Sequence, residues 1–277
     1  GKSYLIEQFA RENFESYVLL NFEEDPRLLQ AFEGSLDPKV VVSNLEQILG
    51  SPPRAKDMIY IFDEVQASHR ALTSLKYFQE SGFPHPVIAA GSLLGVSVNQ
   101  KELSLPVGKV NTMVLHPMTF DEFMCATGYE RMMEGIREAY MRGEPYPMHV
   151  QALDLYRTYL LVGGMPEAVS AYVETGDSRT VAGVQRDILT LYYADMAKYG
   201  ASLIDVARAR DVWNSIPSQL AKENRKFQYN KVRSGGRASQ YEGALDWLLA
   251  AGLITKCARI SSGRIPLALQ EDAAAFK

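Results

Sequence analysis

The run Met58-Ile59-Tyr60-Ile61-Phe62-Asp63-Glu64 constrains this chain more than any other feature. Five apolar residues in succession, without polar alternation, describe a strand buried on both faces. Such a strand belongs inside a parallel sheet, with helices covering each side. Its exit carries two acids. Ligands of open parallel sheets bind beyond the carboxyl ends of the strands, so Asp63 and Glu64 stand where chemistry is done.

The neighbouring sequence has the alternation such a sheet needs. A helix is predicted from Lys2 to about Glu12, with Leu5 and Phe9 on one face. Tyr17–Phe22 reads as a strand ending in Glu23, Glu24 and Asp25. Val40–Leu49 reads as a helix stopped by Gly50-Ser51-Pro52-Pro53. Ala71–Ser81 is a further helix, and Pro86–Ala90 and Thr112–Leu115 are further strands. From Thr119 helical periodicity takes over to about Leu220, broken at Gly163-Gly164-Met165-Pro166. Ala207–Gln270 mixes helices with one β-hairpin, whose strands Leu253–Ile260 and Ile265–Gln270 flank Ser261-Ser262-Gly263-Arg264. Helices followed by a hairpin give the order of a winged helix.

Gly1-Lys2-Ser3 opens the first helix, about sixty residues ahead of the acids. It matches the last three positions of a phosphate-binding P-loop, whose backbone N–H groups wrap phosphates, whose Lys reaches them and whose Ser holds Mg²⁺. Three residues alone say little. Met58–Glu64 supplies the second half, in the form of a Walker B strand: Asp63 to support Mg²⁺, Glu64 to orient or deprotonate the attacking water. The bland reading, a polar strand exit with Glu64 capping the next helix, is disfavoured by the two motifs together. The strand expected before a P-loop lies in the sheet interior. Its absence would leave buried backbone groups unpaired at about 1–3 kcal/mol each, so the natural chain is expected to begin upstream of Gly1.

Longer strings carry a family resemblance. Gly91-Ser92-Leu93-Leu94-Gly95-Val96, Leu105-Pro106-Val107-Gly108-Lys109-Val110 and Leu115-His116-Pro117-Met118-Thr119-Phe120-Asp121-Glu122-Phe123 are three of them. Tyr159-Leu160-Leu161-Val162-Gly163-Gly164-Met165-Pro166-Glu167-Ala168, Asp195-Met196-Ala197-Lys198-Tyr199 and Ser215-Ile216-Pro217-Ser218-Gln219-Leu220 follow. Across essentially its whole length the chain resembles prokaryotic AAA-family ATP-binding proteins whose C-terminal part is a domain of unknown function. The resemblance implies an AAA-type P-loop NTPase fold, an α/β parallel sheet with helices on both faces, followed by a helical region and a winged-helix-like domain. The expected boundaries are 1–120, 121–206 and 207–277. It also implies that Ser92 touches the γ-phosphate or its water, although a plain glycine turn reads equally there. Gly1, Lys2, Ser3 and Asp63 would bind ATP, with Mg²⁺ on Ser3 and Asp63, and Glu64 and Ser92 would act in catalysis. No arginine finger is identifiable from the sequence; Arg186 and Arg208 are candidates only because they lie in helices beyond the ATPase core.

The rest of the sequence narrows the partners. No run nears the ~18 apolar residues of a membrane helix. Cys125 and Cys257 lie far apart, as reduced cytoplasmic thiols would, and His69, His85, His116 and His149 lack metal-ligand spacing. The formal charge is −4, yet residues 207–264 hold 11 Lys and Arg against 4 Asp and Glu, a net of +7. That invites a DNA reading. The helix expected from Arg237 to Ala251, with Tyr241, Leu245 and Leu248 inward, argues against it, because Glu242 and Asp246 would repel phosphate. The basic residues gather before it, at Lys222, Arg225, Lys226, Lys231 and Arg233. The leading expectation is an ATP-binding, ATP-hydrolysing switch that engages a protein partner or itself. The rivals are a nucleotide-gated DNA-binding regulator with little turnover, and a scaffold with a vestigial ATP site.

Overall fold

The computed structural model describes residues 1–50, 55–91, 108–199 and 202–277. It divides into two units, Gly1–Met113 with Gly200–Lys277, and Val114–Tyr199. Ser51-Pro52-Pro53, Ser92 and the strings that run from Ser92 to Val107 lie outside the described residues.

In the first unit, strands β1 (Ser16–Asn21), β2 (Met58–Asp63) and β3 (Val87–Ala89) form a parallel sheet in the order β1-β2-β3. The register sets Ser16 opposite Met58, Asn21 opposite Asp63 and Phe62 opposite Ala89. All six residues of β2 are buried, and the period of two explains why. Met58, Tyr60 and Phe62 enter one core with Phe22, Phe32, Leu45, Leu72 and Phe78. Ile59 and Ile61 enter another on the opposite face, with Ala10, Ile6 and Phe14. Helices α2 (Pro38–Leu49) and α3 (His69–Glu80) lie on the first face and α1 (Lys2–Asn13) on the second. Phe62 is the hub of the larger core, edge-on to Phe22 at 5.7 Å, Phe32 at 5.6 Å and Phe78 at 5.7 Å. The helix starts are chemically marked. Asp37 accepts from Lys39 N–H at 2.8 Å ahead of α2, and Ser68 from Ala71 N–H at 3.1 Å ahead of α3.

One expected strand does not form. Thr112–Leu115 has no strand pairing, and Met113, Val114 and Leu115 are 96%, 70% and 50% exposed. A short, largely apolar run makes a strand only when a neighbour accepts its ladder bonds. Among the described residues β3 pairs with β2 alone.

The C-terminal segment holds α9 (Leu203–Leu220), α10 (Ala238–Ala250) and an antiparallel pair, β4 (Ala258–Ile260) with β5 (Glu271–Phe276). The hairpin therefore closes later than the sequence led us to expect. Residues 265–270 are not its second strand: Pro266 offers no N–H to a ladder, and Leu267–Gln270 is a 3₁₀ turn. Phe227 N–H donates to Phe276 O at 2.9 Å, so a third stretch of backbone joins the pair. On α10, Tyr241, Leu245 and Leu248 are buried and Glu242 and Asp246 exposed. Those two acids act on the nearby Tyr229 phenol, whose pKa is pushed up by burial first and by their charge second. The inward face of α9 carries polar residues as well as apolar ones. Val206, Ala209, Val212, Ser215 and Gln219 are buried, and Leu220 is 45% exposed. The buried Gln219 accepts from Gln228 N–H at 2.6 Å and donates to Ser215 Oγ at 3.1 Å, and satisfying that backbone group outweighs burying Leu220.

The second unit is helical: α4 (Phe120–Ala126), α5 (Glu130–Arg142), α6 (His149–Val162), α7 (Pro166–Thr175) and α8 (Ser178–Tyr199). Phe123, Val162, Ala168, Val169 and Val181 form its core. A capping box opens α4, with Thr119 N–H donating to Glu122 at 2.7 Å and Glu122 N–H to Thr119 Oγ1 at 3.3 Å. The glycine pair ends α6 and does a second job. Gly164 O accepts from Met118 N–H at 2.7 Å, and a Cβ on Gly164 would lie 2.2 Å from Met118 O. The Tyr159 hydroxyl donates to that same carbonyl at 2.8 Å.

Candidate functional site

Two hydrogen bonds, one from the backbone and one from a side chain, fix the direction of α1. Glu15 N–H, just past its end, donates to Asp57 O at 3.1 Å, just ahead of β2. Lys2, in its first turn, donates through Nζ to Gly91 O, just beyond β3. The helix thus runs antiparallel to the strands and begins at their carboxyl ends. Gly1 is its N-cap residue and brings no side-chain cap. The N–H groups of the first turn have no partner within the helix and form its positive end. Ser3 lies in that turn, half-buried.

The acids stand at the same edge of the sheet. Asp63 is 6% exposed, and its Oδ1 accepts from Glu64 N–H at 3.0 Å. Its carbonyl accepts from Phe22 N–H at 3.2 Å, which holds the exits of β1 and β2 together. Asn21, opposite Asp63, turns the chain after β1 by accepting from Glu23 and Glu24 N–H, each at 3.1 Å. Arg27 then hydrogen-bonds the Asp25 carboxyl and holds its pKa below the usual value.

The exits of β2 and β3 are joined as well. Ala90 N–H donates to Phe62 O at 2.8 Å, and Val65 N–H to Ala90 O at 3.0 Å. Glu64 takes the left-handed conformation between these bonds, at φ 51°, which is uncommon for a residue with a side chain. Its carboxylate accepts from Gln66 Nε2. Lys2 is thus tied to the exit of β3, which is zipped to the turn carrying Glu64. Ser92 is outside the described residues.

Two residues of this cluster were not singled out from the sequence. Gln66 had no signal, since a glutamine two positions past a strand is ordinary. Gly91 did have one: a glycine directly after a buried strand marks close approach by another group. Here that group is the Gln66 amide.

A parallel α/β sheet with a helix N-terminus, a lysine and two carboxyl-end acids on one edge defines the P-loop class of nucleotide-binding proteins. Residues 1–124 match the family model described as an AAA domain. Residues 153–277 match that of a domain of unknown function, DUF8612. The N-terminal part thus matches an AAA domain, which implies a P-loop NTPase, and the C-terminal part a domain of unknown function, as the resemblance implied. No curated protein and no solved structure matches the chain.

Proposed function

We propose that this protein binds ATP with Mg²⁺ and hydrolyses it, working as a switch on a protein partner or on its own copies. The observation that carries the reading is the bond from Lys2 to Gly91 O, which ties a P-loop lysine to the strand neighbouring the one that ends in Asp63-Glu64. Lys2 would hold the phosphates, with the N–H groups from Gly1 to Ser3 around them. The donor set fits Mg²⁺: a hydroxyl and a carboxylate, with water and phosphate oxygens completing the sphere. Asp63, withdrawn from water at the sheet edge, supplies the negative charge and Ser3 the hydroxyl. The ion would neutralise charge on the phosphates. Glu64 would orient and deprotonate the water, and Ser92 would sense the γ-phosphate.

We assign 1–120 to the ATPase core, 121–206 to a helical region and 207–277 to a winged helix. Support for the last comes from the order α9, Phe227 backbone on β5, α10, then the β4–β5 pair. The regulator reading draws on the +7 charge of residues 207–264. Against it, α10 exposes Glu242 and Asp246, and Arg233 is paired with Asp211 at 2.9 Å. We favour a cytoplasmic protein. Among the described residues no helix is long and apolar enough to cross a membrane, and Cys125 and Cys257 are both free thiols. The test is ATP binding and turnover by the full-length protein, with and without duplex DNA. Turnover is expected in both conditions, and DNA binding that responds to ATP with little turnover would favour the regulator.

A further inference from the structure

We propose that Gln66 is the positioning residue for Glu64, and that position 91 is glycine to admit the Gln66 amide in that pose. The inference rests on the hydrolysis reading above. Glu64 is set in the left-handed conformation by backbone bonds on either side of it, but those bonds leave its side-chain torsions undetermined. Gln66 Nε2 donates to Glu64 Oε2 and fixes where the carboxylate points. The other end of the same amide lies against Gly91. A Cβ built there would meet Gln66 Oε1 at 2.5 Å, while its next neighbouring residue, Val65, would be at an ordinary 3.5 Å. Among the described residues, alanine at 91 would therefore displace the Gln66 side chain alone, and Gly91 does not have a positive φ that would strain it. The Gly91 carbonyl that receives Lys2 belongs to the backbone and is retained in such a variant. One residue thus meets both the lysine meant for phosphate and the amide that aims the candidate base.

The two positions make a double-mutant cycle. Full-length protein carrying Gln66→Ala, Gly91→Ala or both is assayed for ATP turnover, with thermal midpoints measured to verify folding. Gln66→Ala is expected to lower kcat by about ten- to a hundredfold, the scale of a misplaced catalytic group, with KM for ATP changed less than about threefold. Gly91→Ala should lower kcat in the wild-type background and change it little in the Gln66→Ala background, where the clash no longer exists. Unchanged kcat in Gln66→Ala, or an equal cost of Gly91→Ala in both backgrounds, would overturn the positioning role while leaving hydrolysis intact. Wild-type protein that does not hydrolyse ATP, or a Glu64→Gln variant that hydrolyses it undiminished, would remove the hydrolysis reading and the role of Gln66 with it.

Discussion

The ammonium of Lys2 donates to the carbonyl of Gly91, 89 residues further along the chain. An ammonium has three donors and can hold phosphate oxygens as well, as a P-loop lysine does. Lys2→Ala in full-length protein should therefore weaken ATP binding by about ten- to a hundredfold, the loss expected for charge-assisted hydrogen bonds. Titration with a fluorescent ATP analogue measures it, and unchanged affinity would exclude Lys2 from the phosphate site.

Phe62 is fully buried at the junction of three other aromatic rings. Phe62→Ala should cost about 3–5 kcal/mol, the usual loss for a buried aromatic. Denaturant unfolding gives the value. A cost below about 1 kcal/mol would mean that β2 is not central to the core.

Gly164→Ala should destabilise the helical unit, because its Cβ would meet a backbone carbonyl 2.2 Å away rather than a movable side chain. The expected cost is about 1–3 kcal/mol, as for overpacking. Tyr159→Phe, which removes only the hydroxyl on Met118 O, should cost about 1 kcal/mol. A Gly164→Ala cost within about 0.5 kcal/mol of zero, as at an ordinary surface site, would contradict the close approach of Met118 to Gly164.

Much of this architecture was legible in the sequence, for physical reasons that differ by element. β2 could be read because burial on both faces erases alternation, and α1, α2 and α3 because their amphipathic faces repeat. The functional edge was legible because Asp63 and Glu64 interrupt an apolar run. Thr112–Leu115 misled because apolar character marks a strand only where a pairing neighbour exists. On α9, Gln219 is buried beside exposed Leu220, because its amide is held by Gln228 N–H and Ser215, which hydrophobicity alone does not show. The hairpin was placed too early because Ser261–Arg264 has turn composition, whereas the loop closes later, where Ser261 N–H donates to Gln270 O at 2.8 Å. Gln66 gave no signal because a glutamine two residues past a strand is ordinary until the fold sets Gly91 against its amide.

DNA contact, if the basic residues make any, should run through Lys222, Arg225 and Lys226 in the exposed turn after α9. It should be weak and unselective, with log affinity falling at a slope of about −0.9 per phosphate neutralised. A salt titration against duplex DNA, with and without ATP, measures the slope. Tight, sequence-selective binding that survives high salt would contradict the reading that Glu242 and Asp246 keep α10 out of a phosphate-lined groove.

Glu64 carries the central claim. Glu64→Gln keeps the size of the side chain and one acceptor oxygen for Gln66, and removes its ability to take a proton. ATP affinity and steady-state turnover should be measured on the same full-length preparations of wild type and variant. The account predicts affinity within about threefold of wild type and turnover reduced by about 10²- to 10⁴-fold, the usual contribution of a general base. Undiminished hydrolysis by the variant would contradict it.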